Sequence, residues 1–231
     1  MRPQTITWEL SGLLPDRAIV ASDAGTVTAW GGRLLLRSGM NYSFSGTHCT
    51  MGSALPYAIG AAFGQPHRPV IAFNGDGAMA MGMGELATLA HYDLPITVIV
   101  LHNNSLALEV WEQNALLGNP QYGCDIPSID FAAVAHGCGL AAWRLEHAAD
   151  AREVLATALA HDGPALVECI VDPLEAPYGE TLKPGHANKI VAAYDAGERD
   201  RSPMARNLLE PGRVRLSPSV QQIENQLQRY T

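Results

Sequence analysis

Val70-Ile-Ala-Phe-Asn-Gly-Asp-Gly-Ala-Met79, followed after a helical stretch by Leu94-Pro-Ile-Thr-Val-Ile-Val-Leu-His-Asn-Asn-Ser105, decides the fold. Val70–Asn74 and Ile96–Leu101 are short continuous apolar runs rich in β-branched residues, the pattern of strands buried on both faces. Between them, positions 79–91 carry a helical pattern. Strand, glycine-containing loop, helix and strand in that order make a parallel crossover. The same alternation runs through the rest of the chain. It predicts strands over 17–22, 140–144 and 165–171. It predicts helices over 26–37, 53–64, 105–116, 129–138 and 147–161. The expected fold is α/β: a doubly wound, mostly parallel sheet with helices on both faces. Residues 1–172 form that domain. A Pro-rich C-terminal tail over 173–231 is expected to wrap its surface or reach a partner, with short helices over 187–196 and 219–230 and no independent second domain. No internal repeat is visible.

Composition narrows the function classes. The chain has 231 residues, 15 basic and 23 acidic side chains, a formal net charge of −8, and only 16% charged residues against 47% apolar ones. Average soluble domains are about 25% charged. Residues 1–171 hold 7 of the basic residues, none of them lysine, and 15 of the acidic ones. No basic face for nucleic acid is visible. No apolar run reaches the roughly 18–20 residues of a membrane span, and no signal-peptide core follows Met1. Cys49, Cys124, Cys138 and Cys169 include no CxxC pair, so they read as buried thiols in a reducing cytoplasm.

The chemistry sits in the loop between the two strands. Gly75 and Gly77 permit a tight turn and close approach of a ligand, and their amides open toward a helix N-terminus, where anions bind. Gly75-x-Gly77-x-x-Ala80 fits a dinucleotide fingerprint. That reading requires an acid at the end of the next strand, which instead ends His102-Asn103-Asn104. Asp76 would also repel a bare pyrophosphate unless a cation lies between them. A carboxylate, an amide oxygen and phosphate oxygens suit octahedral Mg²⁺. Asn103 stands 27 positions after Asp76, which places both at the carboxyl ends of neighbouring strands.

Gly75-Asp76-Gly77 with Asn103-Asn104 resembles the metal–diphosphate motif of thiamine diphosphate enzymes of the pyruvate oxidase and acetohydroxyacid synthase kind. Asp23-Ala-Gly-Thr-Val-Thr-Ala-Trp30 resembles their first phosphate-side loop. Thr50-Met-Gly-Ser-Ala-Leu-Pro56 resembles the loop whose methionine props the cofactor, and Glu85-Leu-Ala-Thr and Leu94-Pro95 recur there. The likeness covers about residues 2–172, the diphosphate-binding domain. It implies that Asp76, Asn103 and the Ser105 carbonyl hold Mg²⁺. It implies that Gly25, Thr26, Gly75, Gly77 and Ala78 line the diphosphate, that Met51 lies under the cofactor's bend, and that Thr50 and Gly52 meet the aminopyrimidine. Glu112 matches a glutamate near the substrate. Ala107 replaces a usual glycine, and Glu109 an apolar residue facing the reacting carbon. Asp23 is equally open to reading as a loop cap. His48 and His102 read as structural or supporting histidines, and Met79, Met81 and Met83 as packing.

The resemblance implies a thiamine diphosphate- and Mg²⁺-dependent enzyme acting on a 2-oxo acid such as pyruvate: decarboxylation, with the resulting enamine protonated, ligated or oxidised. In this family an activating glutamate comes from a pyrimidine-binding domain, which this sequence lacks, as it lacks the domain that carries FAD in the oxidases. The chain is therefore expected to be inactive without a pyrimidine-binding partner, to sit in a homo- or hetero-oligomer, and to be cytoplasmic. The alternatives are a non-catalytic or regulatory cofactor-binding module and a nicotinamide dinucleotide-binding domain.

Overall fold

The continuous apolar run that ends in His102 forms β4 (Ile96–His102), buried along its whole length. It is flanked by β3 (Val70–Gly75) and β6 (Ala165–Ile170), with β1 (Ile19–Ser22), β2 (Asn41–Ser43) and β5 (Ala141–Leu145) completing a six-stranded sheet. A computed structural model describes residues 1–177, 181–210, 215–216 and 221–231. The strand order is β2-β1-β3-β4-β6-β5, and every neighbouring pair is parallel. The sheet was expected to be mostly parallel and is entirely so.

Alternation along the strands sorts side chains to two cores. Val20, Ile71, Phe73 and Ile99 face α1 (Pro3–Leu13), α2 (Thr26–Gly31) and α8 (Ala151–Leu159). Ala21, Ala72, Val98 and Val100 face α3 (Ala54–Gly64), α5 (Leu86–His91) and α7 (Phe131–Gly137). Helices on both faces make the fold doubly wound. β1 has β2 on one side and β3 on the other, so the chain's winding reverses at β1. In such sheets ligands sit outside the carboxyl ends of the strands at that reversal.

Several elements differ from the sequence-based expectation. The helix expected over 26–37 stops at Gly31, where Gly31-Gly32 weakens it. The helix expected over 79–91 begins earlier, as α4 (Asp76–Gly82), and breaks into a 3₁₀ turn (Met83–Glu85) before α5. The stretch predicted helical over 147–161 opens as a 3₁₀ turn (Ala148–Asp150) before α8. Asp130 caps α7 by accepting a hydrogen bond from the Ala133 amide at 2.8 Å. α1 and β2 were not anticipated. Met81 is 67% exposed and is not packing, unlike buried Met79. Cys49 is exposed, while Cys124 and Cys169 are buried.

The chain divides into two compact units: 1–104 with 126–172, and 105–125 with 173–231. The sequence boundary had been drawn at Asp172–Pro173, and the second unit adds the excursion 105–125. In that unit α6 (Ala107–Glu112) runs into a π-helical turn (Gln113–Leu117) that ends at Gly118, whose φ of +77° reverses the chain. The tail supplies α9 (Pro184–Asp195) and α10 (Arg201–Leu209), together with α11 (Gln221–Leu227). The tail does not merely drape a surface: Trp111, Tyr194, Ile190, Met204 and Leu208 share a core. Part of the helix expected over 219–230 lies outside the described residues.

Glu198 ties this unit together. It is buried and accepts hydrogen bonds from Asn114 Nδ2 (2.9 Å), the Gln121 amide (2.7 Å) and Gln121 Nε2 (2.9 Å). Burial alone would raise its carboxyl. The hydrogen bonds from Asn114, Gln121 and the Asp200 amide outweigh it and hold the group below the ordinary value of 4.5. A carboxyl depressed in the folded state stabilises fully above its unfolded value, and that stability is lost as pH falls through the folded value. Thermal unfolding across pH 2.5 to 7 is expected to show this loss below pH about 4.5. Glu198→Gln removes this group's share of the slope and lowers the midpoint at neutral pH.

Candidate functional site

The carboxyl ends of β1, β3 and β4 each carry a polar residue that the sheet cannot satisfy. At the end of β1, Asp23 is fully buried. Its Oδ1 accepts the Ala24 amide (2.8 Å) and the Gly52 amide (2.9 Å), and its Oδ2 accepts the Ala54 amide and Asn74 Nδ2, both at 3.1 Å. Burial raises its carboxyl, against the lowering pull of the Ala54, Ala24 and Gly52 amides. With each oxygen taking two donors, the lone pairs of Asp23 are used. Asp23 is thus a strut between the loop after β1, the Met51–Ser53 loop and β3. These four bonds fit the reading of Asp23 as a brace of the loop.

At the tip of β3, Asp76 is 4% exposed. Its Oδ2 accepts the backbone amides of Asn103 (2.9 Å) and Asn104 (2.6 Å) at the tip of β4, while among the described residues Oδ1 accepts the Gly77 amide alone (2.9 Å). Burial raises the Asp76 carboxyl above its ordinary range, with the amides of Asn103, Asn104 and Gly77 and the His102 ring pulling the other way. One lone pair of Oδ1 remains for a cation. A single carboxylate joined by neutral oxygens such as the Asn103 side-chain carbonyl is a hard, weakly charged donor set, the kind that holds Mg²⁺ together with phosphate oxygens. Among the described residues no group of three or more His, Cys, Asp or Glu could hold a metal by itself. A cation here would share its coordination with a ligand.

The other predicted residues fall as follows. Gly25 caps α2 at φ +111° and ψ −159°, a conformation confined to glycine, and no atom lies within 4 Å of where a Cβ would stand. Thr26 opens α2. Thr50 is exposed, and Met51 and Gly52 are half-buried, with the Gly52 amide committed to Asp23 and its φ at +80°. Gly75, Gly77 and Ala78 surround Asp76 at the start of α4. Asp23, Gly52, Asp76, Gly77, Asn103 and their neighbours thus cluster along the carboxyl edge of one unit. Ser105 opens the other unit, through a bridge to Asp125, and Glu112 and Glu109 stand on its α6, Glu112 exposed.

Two residues matter more than their sequence suggested. Glu168, in the middle of β6, is fully buried, with Oε1 at 2.5 Å from His102 Nδ1 and 3.1 Å from an Arg144 guanidinium nitrogen. His102 Nε2 lies 2.7 Å from Asn104 Oδ1 and 3.9 Å from Asp76 Oδ2. Burial alone would lower the His102 ring, but Glu168, Asn104 and Asp76 raise it. Burial alone would raise Glu168, but His102, the Ala132 amide and Arg144 lower it. Both directions favour the ionic form of the pair. The sequence signal was an acid inside the apolar run Ala165-Leu-Val-Glu-Cys-Ile170, which a buried strand tolerates only with a partner.

Residues 23–169 match the family model of the thiamine pyrophosphate enzyme C-terminal TPP-binding domain. The chain is 34% identical over 172 residues to the Bacillus subtilis protein YdaP, covering 74% of this chain and 30% of the relative. It is 32% identical over 181 residues to the acetolactate synthase isozyme 1 large subunit of Escherichia coli, covering 78% and 32%. It is 34% identical over 176 residues to benzoylformate decarboxylase of Pseudomonas aeruginosa, covering 76% and 33%. The chain spans about a third of the length of these relatives.

Replacing Asp23 with alanine strands four donors, three of them buried, and removes the strut. Asp23→Ala is expected to cost about 3 kcal/mol in urea unfolding, well beyond a typical surface substitution. A loss under about 0.5 kcal/mol contradicts the strut.

Proposed function

Because the chain belongs to the thiamine pyrophosphate enzyme family, as its C-terminal TPP-binding domain, we propose that it is the diphosphate- and magnesium-binding half of an enzyme acting on a 2-oxo acid such as pyruvate. The observation that carries this reading is Asp76: a buried carboxylate at a strand tip with one oxygen closed by two amides and the other left with a free lone pair. Asp76 Oδ1 and the Asn103 side-chain carbonyl hold Mg²⁺, joined by the Ser105 backbone carbonyl. Gly25, Thr26, Gly75, Gly77 and Ala78 line the diphosphate, beside helix starts where anions settle. Met51, on the loop held by Asp23, supports the cofactor's bend, and Thr50 and Gly52 meet the aminopyrimidine. Glu112 stands beside the substrate. The cofactor, once bound, supplies an electron sink for cleavage next to the 2-oxo group.

A pyrimidine-binding domain or subunit completes the site in an oligomer. Trp8 (71% exposed), Leu35 (62%) and Tyr122 (88%) are large apolar groups left to water, which supports covered surfaces in the assembly. No helix among the described residues is long and apolar enough to cross a membrane, and a cytoplasmic location fits the thiols. Since the match spans only about a third of each enzymatic relative above, the substrate and the fate of its carbon skeleton belong to the assembly.

Isothermal calorimetry with thiamine diphosphate is expected to show binding only when Mg²⁺ is present. Asp76→Ala is expected to weaken it by more than about 100-fold, beyond the range seen for residues that only support a ligand. Equal binding with and without Mg²⁺, or an unaffected Asp76→Ala variant, contradicts the site. Mixing the chain with a pyrimidine-binding partner, cofactor, Mg²⁺ and pyruvate is expected to release carbon dioxide. Intact cofactor binding with no turnover from any partner favours the non-catalytic module instead.

A further inference from the structure

We propose that the buried Glu168–His102 pair is a positioning device: it holds Asn104 so that Asp76 presents Oδ1, and not Oδ2, to the cation. Asn104 has φ +57°, in the left-handed region that asparagine enters more readily than most side chains. Beside it, two successive amides, those of Asn103 and Asn104, converge on one carboxylate oxygen. Asn104 is exposed, so packing does not impose the conformation. Its side chain is tied down as well, Oδ1 meeting His102 Nε2 at 2.7 Å.

His102 in turn has no freedom. Glu168 Oε1 grips Nδ1 at 2.5 Å, and the Phe131 ring stands edge-on at 5.5 Å between centroids. Glu168 is fixed from two more sides, by Arg144 at 3.1 Å and by the Ala132 amide at 3.3 Å. The chain of contacts therefore runs from the middle of β6, through the tip of β4, to the tip of β3. Its end effect is to consume both lone pairs of Asp76 Oδ2 and to leave Oδ1 open. Groups that orient a ligand in this way shift metal affinity without touching the metal. This role rests on Asp76 and Asn103 forming the magnesium site proposed above.

The test uses the full chain with Glu168→Gln, which keeps the shape but removes the charge, and His102→Asn, which shortens the link. Amide hydrogen exchange without ligand reads the positioning directly. In both variants the Asn103 and Asn104 amides are expected to lose about 10-fold or more of their protection, while Val98, Ile99 and Val100 in β4 keep theirs. In parallel, Mg²⁺ titrated against the chain with thiamine diphosphate is expected to bind about 10–100-fold more weakly. Unchanged protection of the two amides, or Mg²⁺ affinity within about twofold of the parent, overturns the role. A merely structural pair lowers the unfolding midpoint and leaves both readouts of the folded protein in place. If Glu168→Gln does not fold, His102→Asn decides. Asp76→Ala separates the levels. If it loses binding while the other variants bind like the parent, only the positioning role fails. If it too binds like the parent, the magnesium site fails and the positioning role with it.

Discussion

A carboxylate buried at the tip of a strand must find donors, and Asp76 finds them in the backbone of the strand beside it. That bond demands a parallel neighbour ending at the same level, with Gly75 paired to Leu101 so that the next residues face each other. It demands that the successive amides of Asn103 and Asn104 point at one oxygen. It also demands a strand on the far side of β4 carrying a group able to hold His102, which β6 provides in Glu168. The winding of the sheet brings these three strand ends together, and the two cores on its faces keep them level.

The two buried aspartates show how much depends on counting lone pairs. Asp23 and Asp76 both follow a strand, both lie at or just before the start of a short helix, and both are raised by burial. Asp23 takes four donors and is complete, so it braces three segments. Asp76 takes three and is not. A difference of one hydrogen bond separates a girder from a carboxylate with a lone pair to offer, and neither charge nor depth would have distinguished them.

Much of this was legible in the residues. β3 and β4 announced themselves because strands buried on both faces need unbroken apolar runs. The pairing of Asp76 with Asn103 followed from the length of a crossover. α1 was not legible: Pro3, Thr7 and Ser11 are among its buried residues, which blurs any apolar stripe. β2 is three residues with no buried position, so no period exists to read. The chain after Asp172 looked like a wrapping because its core partners, Val110, Trp111 and Ala115, lie far upstream in sequence. In the same way, Glu168 advertised that it needed a counterpart, but only coordinates bring His102 to it.

The second unit is assembled from two stretches separated in sequence by β5, β6 and the helices between them. On a ribosome, which adds about 5–20 residues per second, the excursion emerges seconds before the tail. During that interval Val110, Trp111 and Ala115 lack the groups that later cover them, while the sheet is still awaiting β6. Nascent copies thus pass through a vulnerable adolescence, in which a premature stop, a slow codon cluster or a scarcity of holdases would divert them into aggregates. Truncation at the carboxyl terminus should accordingly harm solubility out of proportion to the few residues removed.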